Sequence, residues 1–241
     1  MTTFREIIWV QSACLLSLCL LVAATSSFAA SCPADTLALI RGMVPAYAKV
    51  ADYTAVFDKQ ELVRGKLMPG EHILLKFKKP FKVRMTWLKG PHEGREGVYV
   101  KGMNGDKMIG HEGGFLSFIK VNIDPFGTTA MKRSRHPVTD IGIGKIVEVV
   151  TSNVDRAIRV GDLSAEQFPD DELCGGRAGH VRLEFPSGRG YYSEQVELWV
   201  DRAKGLPVKI EVFGRDGGLL EHYEYRELKL NPGIPDEAFV H

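Results

Sequence analysis

A period of two restricts this chain more than any other feature. Tyr53, Ala55 and Phe57 share one face of an extended segment, and Ile73, Leu75 and Phe77 share one in the next. After Lys79-Pro80, the residues Phe81, Val83, Met85 and Trp87 point one way while Lys82, Arg84 and Thr86 point the other. Such alternation is that of half-buried antiparallel strands with one solvated face. GPHEG at 90–94 reads as a turn, and Asn104-Gly105 between Val98–Val100 and Lys107–Ile109 is a strong hairpin signal. The pattern resumes at Val181, Leu183 and Phe185, continues through Val196, Leu198 and Val200, then Val208, Ile210 and Val212. Arg215-Asp216-Gly217-Gly218 predicts a hairpin turn into a last strand, Leu219 to Leu230.

Two segments follow a helical period instead. Leu37, Ile40, Val44 and Tyr47 recur at spacings of three and four after Pro33 and Asp35, with a break predicted near Met43 because Gly42 and Pro45 interrupt. Ile143, Ile146, Val147, Val150, Val154 and Ile158 predict a helix over Thr139–Ile158. Its β-branched residues, Gly142 and Gly144 weaken the propensity, so packing must hold it. The expected class is mainly β with helices (α+β). It is a curved antiparallel sheet or incomplete barrel of about nine to eleven strands, with helices across the concave side. No linker or repeat divides residues 30–241, which read as one domain.

Residues 1–29 read as a signal peptide: a weak basic start at Arg5, an apolar run to Ala24, and Ser27 and Ala29 at −3 and −1 of a cleavage site. The run is short for a membrane span, which needs about 20 apolar residues. Export places the remaining domain in the periplasm. Ala29-Ala30-Ser31-Cys32 also resembles a lipoprotein processing site, so a lipid tether through Cys32 is an alternative end state. Cys14 and Cys19 leave with the signal; Cys32 and Cys174 remain, and an oxidising compartment makes them an expected disulfide. Free thiols are the competing reading.

Thirty-one basic residues face thirty acidic ones, so no electrostatic footprint for nucleic acid exists. Catalytic patterns are lacking too. There is no Gly-x-Ser-x-Gly elbow around Ser117 or Ser187 and no phosphate loop, and Gly142-x-Gly144 lies inside a helical pattern rather than after a strand. The seven histidines show no metal-ligand spacing; His111-Glu112, and His222 beside Glu221 and Glu224, are at most adventitious. Asp170, Asp171 and Glu172 read as a solvated loop. No catalytic residue, cofactor or metal is expected. Charges at strand ends, Glu61, Arg64 and Arg95, are candidates for the rim of a cavity, or equally for salt bridges worth about 0–1 kcal/mol.

What remains is apolar surface. Phe57, Phe77, Phe81 and Trp87 must meet Ile146 and Val150 of the central helix, either filling one another or leaving a groove. At about 0.8 kcal/mol per buried CH₂, one long acyl chain in a groove gains on the order of 10 kcal/mol before ordering costs.

Three blocks carry a family resemblance: DYTAVFDKQE at 52–61, KPFKVRMTWLKGPHEGREGVYVKGMNGDKM at 79–108 and LWVDRAKGLPVKIEVFGRDGGLLEHYEYRELKLNP at 198–232. Together they resemble a family of secreted bacterial proteins known as domain of unknown function 1571. That family is similar in fold to the lipoprotein carriers LolA and LolB and the sensor domain of RseB, incomplete barrels that hold acyl chains. The resemblance implies a non-catalytic periplasmic carrier or sensor that binds lipid or lipoprotein acyl chains, peripheral to the membrane at most, with an envelope protein as a further partner. The alternatives are an interaction module of the same fold with a filled core and, behind it, an unrecognised envelope enzyme.

Overall fold

The computed structural model describes residues 32–240; the expected signal peptide lies outside the described residues. The elements run α1 (Ala34–Ala48), β1 (Asp52–Val63), β2 (Lys66–Leu67), β3 (Glu71–Lys78), β4 (Lys82–Trp87), β5 (Glu96–Val100), β6 (Met108–His111) and β7 (Val121–Ile123). Then follow α2 (Thr128–Met131), α3 (Ile143–Val160), β8 (Ser164–Gln167), β9 (Asp171–Leu173), β10 (Gly176–Glu184), β11 (Gln195–Asp201), β12 (Leu206–Phe213) and β13 (Leu219–Leu230).

All thirteen strands join one antiparallel sheet in the order β7-β6-β5-β4-β3-β1-β13-β12-β11-β10-β8, with β2 beside β1 and β9 beside β10. The sheet is not closed into a barrel: β7 and β8 are its ends. The strand number exceeds the expected nine to eleven because β2, β7 and β9 are only two or three residues long, too short for alternation to register.

The sequence period of two becomes two faces. Tyr53, Ala55 and Phe57 of β1, Ile73, Leu75 and Phe77 of β3, Val83 and Met85 of β4, and Leu198 and Val200 of β11 form one continuous inner core with α1 and α3. On the outer face the C-terminal hook Phe239 packs with Ile234 on Val98, and Trp199 and Val208 pack with Cys174.

Both helices differ from expectation in detail. α1 runs without a break through Gly42 and Pro45, because Pro45 falls in the last turn, where its missing N–H removes a single intrahelical bond. Its buried face is Thr36, Ile40 and Met43, and Val44 is exposed. α3 begins at Ile143, after a separate 3₁₀ turn at Val138–Asp140, because Gly142 has φ 112° and is not helical. It ends on Gly161 in the left-handed conformation, whose N–H caps the carbonyls of Ala157 and Ile158. At Gly144, a Cβ would stand 2.5 Å from the Tyr47 ring, so this glycine permits the close crossing of α1 and α3.

The expected disulfide is not formed; both thiols are free. Cys32 packs at the edge of the inner core, while Cys174 belongs to the outer-face cluster, so the sheet stands between them. Burial, then the neighbouring Glu224 carboxylate, pushes the Cys174 thiol up to about 12.

Candidate functional site: a cavity under the central helix

Along the strands the inner face changes character. Where Tyr53 stacks on Phe77 at 5.1 Å and Phe81 bridges edge-on to Phe77 and Tyr99, the interior is filled. Four residues along, at Phe57 from Tyr53, Ile73 from Phe77 and Met85 from Phe81, it opens into a cavity of about 720 Å³. That volume lies within the range of small-molecule sites, about 300–1,000 Å³. Its floor includes Phe57, Ile73, Met85, Leu183, Val196, Ile210 and Tyr225; its roof includes Ile146, Val149 and Val150 of α3 and the segment between β6 and α3.

Register explains this floor. Ile73 sits opposite Phe57, and Phe57 opposite Tyr225. On the other side Met85 faces Gly97, which faces Gly110. Two cross-strand glycines thus leave space on the wall: a Cβ on Gly97 would come within 3.1 Å of the Met108 sulfur, and one on Gly110 within 3.3 Å of Ile123.

One more step along β1 the wall becomes polar. Glu61 lies directly opposite Glu221 on β13, and both are buried. Two like charges facing each other in a sheet repel, and each is answered. Glu61 accepts hydrogen bonds from Tyr223 Oη, from the Arg135 backbone N–H at 2.7 Å, and an ion pair from Lys59 at 3.2 Å. Glu221 accepts from Arg135 Nε at 2.7 Å, His136 Nε2 at 2.9 Å and Tyr192 Oη. Lys59 Nζ also donates to Ser134 Oγ at 2.9 Å. The carboxylates therefore clasp the linker 134–136 over the cavity. Burial first, then Glu221 and Glu61, pushes the Tyr223 hydroxyl far above its ordinary range; burial and Glu221 do the same to Tyr192. Both stay protonated and act as donors.

At the mouth, Arg95 holds Glu112 through two bonds of 3.0 and 2.6 Å, and its guanidinium lies 5.6 Å from the Trp87 ring centre. Three buried nitrogens lack partners among the described residues: Trp87 Nε1, His92 Nε2 and Arg133 Nε. All three residues line one side crevice of about 10 Å³, room for about one water-sized group.

Of the residues singled out by sequence, Phe57, Trp87, Ile146, Val150, Glu61 and Arg95 line the cavity. Phe77 and Phe81 do not; they belong to the filled end. Arg64 lies in the exposed turn after β1, away from the cavity. Sequence reasoning missed Glu221, Arg135, His136 and Tyr192, whose roles depend on cross-strand register. His222 faces the outer side, paired with Glu211 at 3.0 Å, so it does not join Glu221. Among the described residues no group of His, Cys, Asp and Glu is arranged to hold a metal. Ser187 is tied to Arg215 and Glu194 in its turn.

A family model described as "Protein of unknown function (DUF1571)" matches residues 50–241. The chain belongs to the DUF1571 family. No curated protein matches it by sequence. Among solved structures, this DUF1571 chain is similar to MucB, with 15% identity and a TM-score of 0.54, covering 87% of this chain and 63% of that one. It thus spans less than two thirds of MucB. The Mycobacterium tuberculosis lipoprotein LppX gives 12% identity and a TM-score of 0.49, covering 83% and 96%. A LolA superfamily protein from Nitrosomonas europaea gives 10% and 0.35, covering 85% and 97%. At such identities the MucB likeness establishes the fold of the DUF1571 domain, an open antiparallel sheet with helices on one face.

Proposed function

We propose that this protein is an exported, non-catalytic binder of lipid or lipoprotein acyl chains, acting as a carrier or sensor in the cell envelope. The observation that carries the reading is the cavity of about 720 Å³ beneath α3, lined by Phe57, Ile73, Met85, Ile146, Val150 and Ile210, with polar side chains gathered at the clasp, the mouth and the edges of the roof. An apolar chain lying from Tyr225 toward Met108 replaces water on Phe57, Ile73, Met85 and Ile210 and gains about 0.8 kcal/mol per buried CH₂. A head group is then left at the mouth, where Arg95, Trp87 and Arg133 gather. The fold likeness to MucB supports the open-sheet architecture, with helices on one face, on which this reading rests.

Gentle extraction followed by native mass spectrometry is expected to show co-purified lipid. An apolar fluorescent probe is expected to enter the cavity and to be displaced by fatty acid or lipopeptide. No bound lipid together with no probe uptake sinks the proposal. The Cys32 tether is tested separately by palmitate labelling of the wild type and Cys32→Ser; label that survives the change rules out acylation at that residue.

A further inference from the structure

We propose that the segment from Gly114 to Phe126 is a docking loop that seats the cavity mouth on an anionic lipid bilayer. The loop extends beyond the cavity and meets it at the mouth through Leu116, Ile119 and Val121. Residues 114–122 are exposed without interruption. Within and just after them Phe115 is 88% exposed, Phe118 and Phe126 each 69%, and Leu116, Ile119 and Val121 each 47%. Scattered single apolar residues are ordinary on a surface; a contiguous run of six large ones in thirteen positions is not.

The loop is held in place rather than loose. Gly113 packs so tightly on the Glu93 carbonyl that any Cβ would stand 1.9 Å from it, and Val121 pairs with Gly110 on the sheet edge. Phe115 and Phe118 meet edge-to-face at 5.9 Å. The aromatic pair is thus presented to solvent by a fixed base.

Two further observations choose a bilayer as the occupant. First, the patch is continuous with the cavity: Leu116, Ile119 and Val121 are exposed and also line it, so an acyl chain leaving a membrane at this loop has apolar side chains to follow inward. A protein partner has no need of that continuity. Second, the charges fit anionic phospholipid. The one acidic side chain of the loop, Asp124, accepts the Phe126 backbone N–H at 2.9 Å, while Lys120 within the loop and Lys132 beside the mouth are exposed and form no ion pair among the described residues. Apolar insertion combined with basic residues is the pattern of reversible interfacial attachment. No helix among the described residues is long and apolar enough to cross a membrane.

The test uses the protein in its naturally processed form, mixed with vesicles of phosphatidylethanolamine and phosphatidylglycerol or of phosphatidylcholine alone. Co-flotation is expected with the anionic vesicles, weaker with the neutral ones. Phe115→Ser/Phe118→Ser is expected to weaken binding by about tenfold or more, since two inserted rings are removed. Both side chains are exposed, so the unfolding midpoint should not move. A Phe118→Trp chain is expected to show quenching by brominated lipid beyond that of the wild type. Equal flotation of wild type and double variant, or no added quenching in the Phe118→Trp chain, overturns the proposal. So does a wild type that self-associates through the loop, seen as a dimer that the double variant dissolves while vesicle binding stays. Uptake of an apolar probe in vesicle-free solution reads the cavity alone. Failure there with loop-dependent flotation defeats the carrier reading and leaves docking standing, and the reverse result does the opposite.

Discussion

At one end of the sheet's inner face, Tyr53, Phe77, Phe81 and Tyr99 interlock, and the start of α3 closes over them: Ile143 N–H donates to Tyr53 Oη at 3.1 Å and Gly142 lies against Phe77. At the other end, the same strands present Phe57, Ile73, Met85 and Tyr225 to a cavity. Alternation, hydrophobicity and strand class are the same at both ends. What differs is the cover: the first residues of α3 close directly on one end, while the middle of α3 and an irregular segment clasped by buried carboxylates stand off from the other. A face of one chemical character thus becomes core or binding site according to what lies on it.

Neighbouring inward residues of β3 give the sharpest test. Leu75 is in the filled end and Ile73 lines the cavity, yet both are fully buried. Leu75→Ala is expected to cost about 3 kcal/mol in urea unfolding, a transfer loss plus a new void. Ile73→Ala enlarges a void that already exists, so it is expected to cost about 1 kcal/mol less. Equal costs would erase the distinction between the ends.

Adding volume should reverse the asymmetry. Val200→Phe in the filled end is expected to destabilise by about 1–3 kcal/mol through overpacking. Val196→Phe, four residues away on β11 and lining the cavity, is expected to cost under about 1 kcal/mol while cutting probe uptake by about tenfold. Uptake that survives would place the ligand elsewhere.

Acid should loosen the mouth of the cavity. Its hydrogen bonds to Arg95 hold the Glu112 carboxyl below its usual range, with burial opposing. A depressed carboxylate contributes its stabilisation above the ordinary value of 4.5, and that is lost as pH falls through the lower, folded value. Probe release is therefore expected to accelerate as pH drops below about 4.5, by up to about fivefold for a solvent-exposed pair. Stopped-flow dilution measures it, and Glu112→Gln should remove the dependence. The smallest effect concerns the thiols. Reducing agent should leave the melting midpoint unchanged, and Cys174, with its thiol at about 12, should alkylate slowly at neutral pH.

Several parts of this architecture were legible in the chain itself. The alternation in Phe81–Trp87 and Leu219–Leu230 named strands that the structure contains, and the spacing Ile146, Val150, Val154 named the buried stripe of α3. The clasp was not legible, because Glu61 and Glu221 meet only through the pairing of β1 with β13, far apart in sequence. The docking loop was not legible either: Phe115, Leu116 and Phe118 follow neither period, and only exposure separates them from core residues.

Periodicity determined by itself which side chains face inward, since each strand must turn alternate residues to one side and each helix a stripe. It did not decide which inward residues touch protein and which line a void. Phe57 and Phe77 have the same parity, type and burial, yet one borders the cavity and the other does not. Packing depends on the atoms brought against a residue from distant segments, here Gly142 against Phe77 and, beside Phe57, a cavity roofed by α3 and the linker 134–136, and that is a property of the assembled fold.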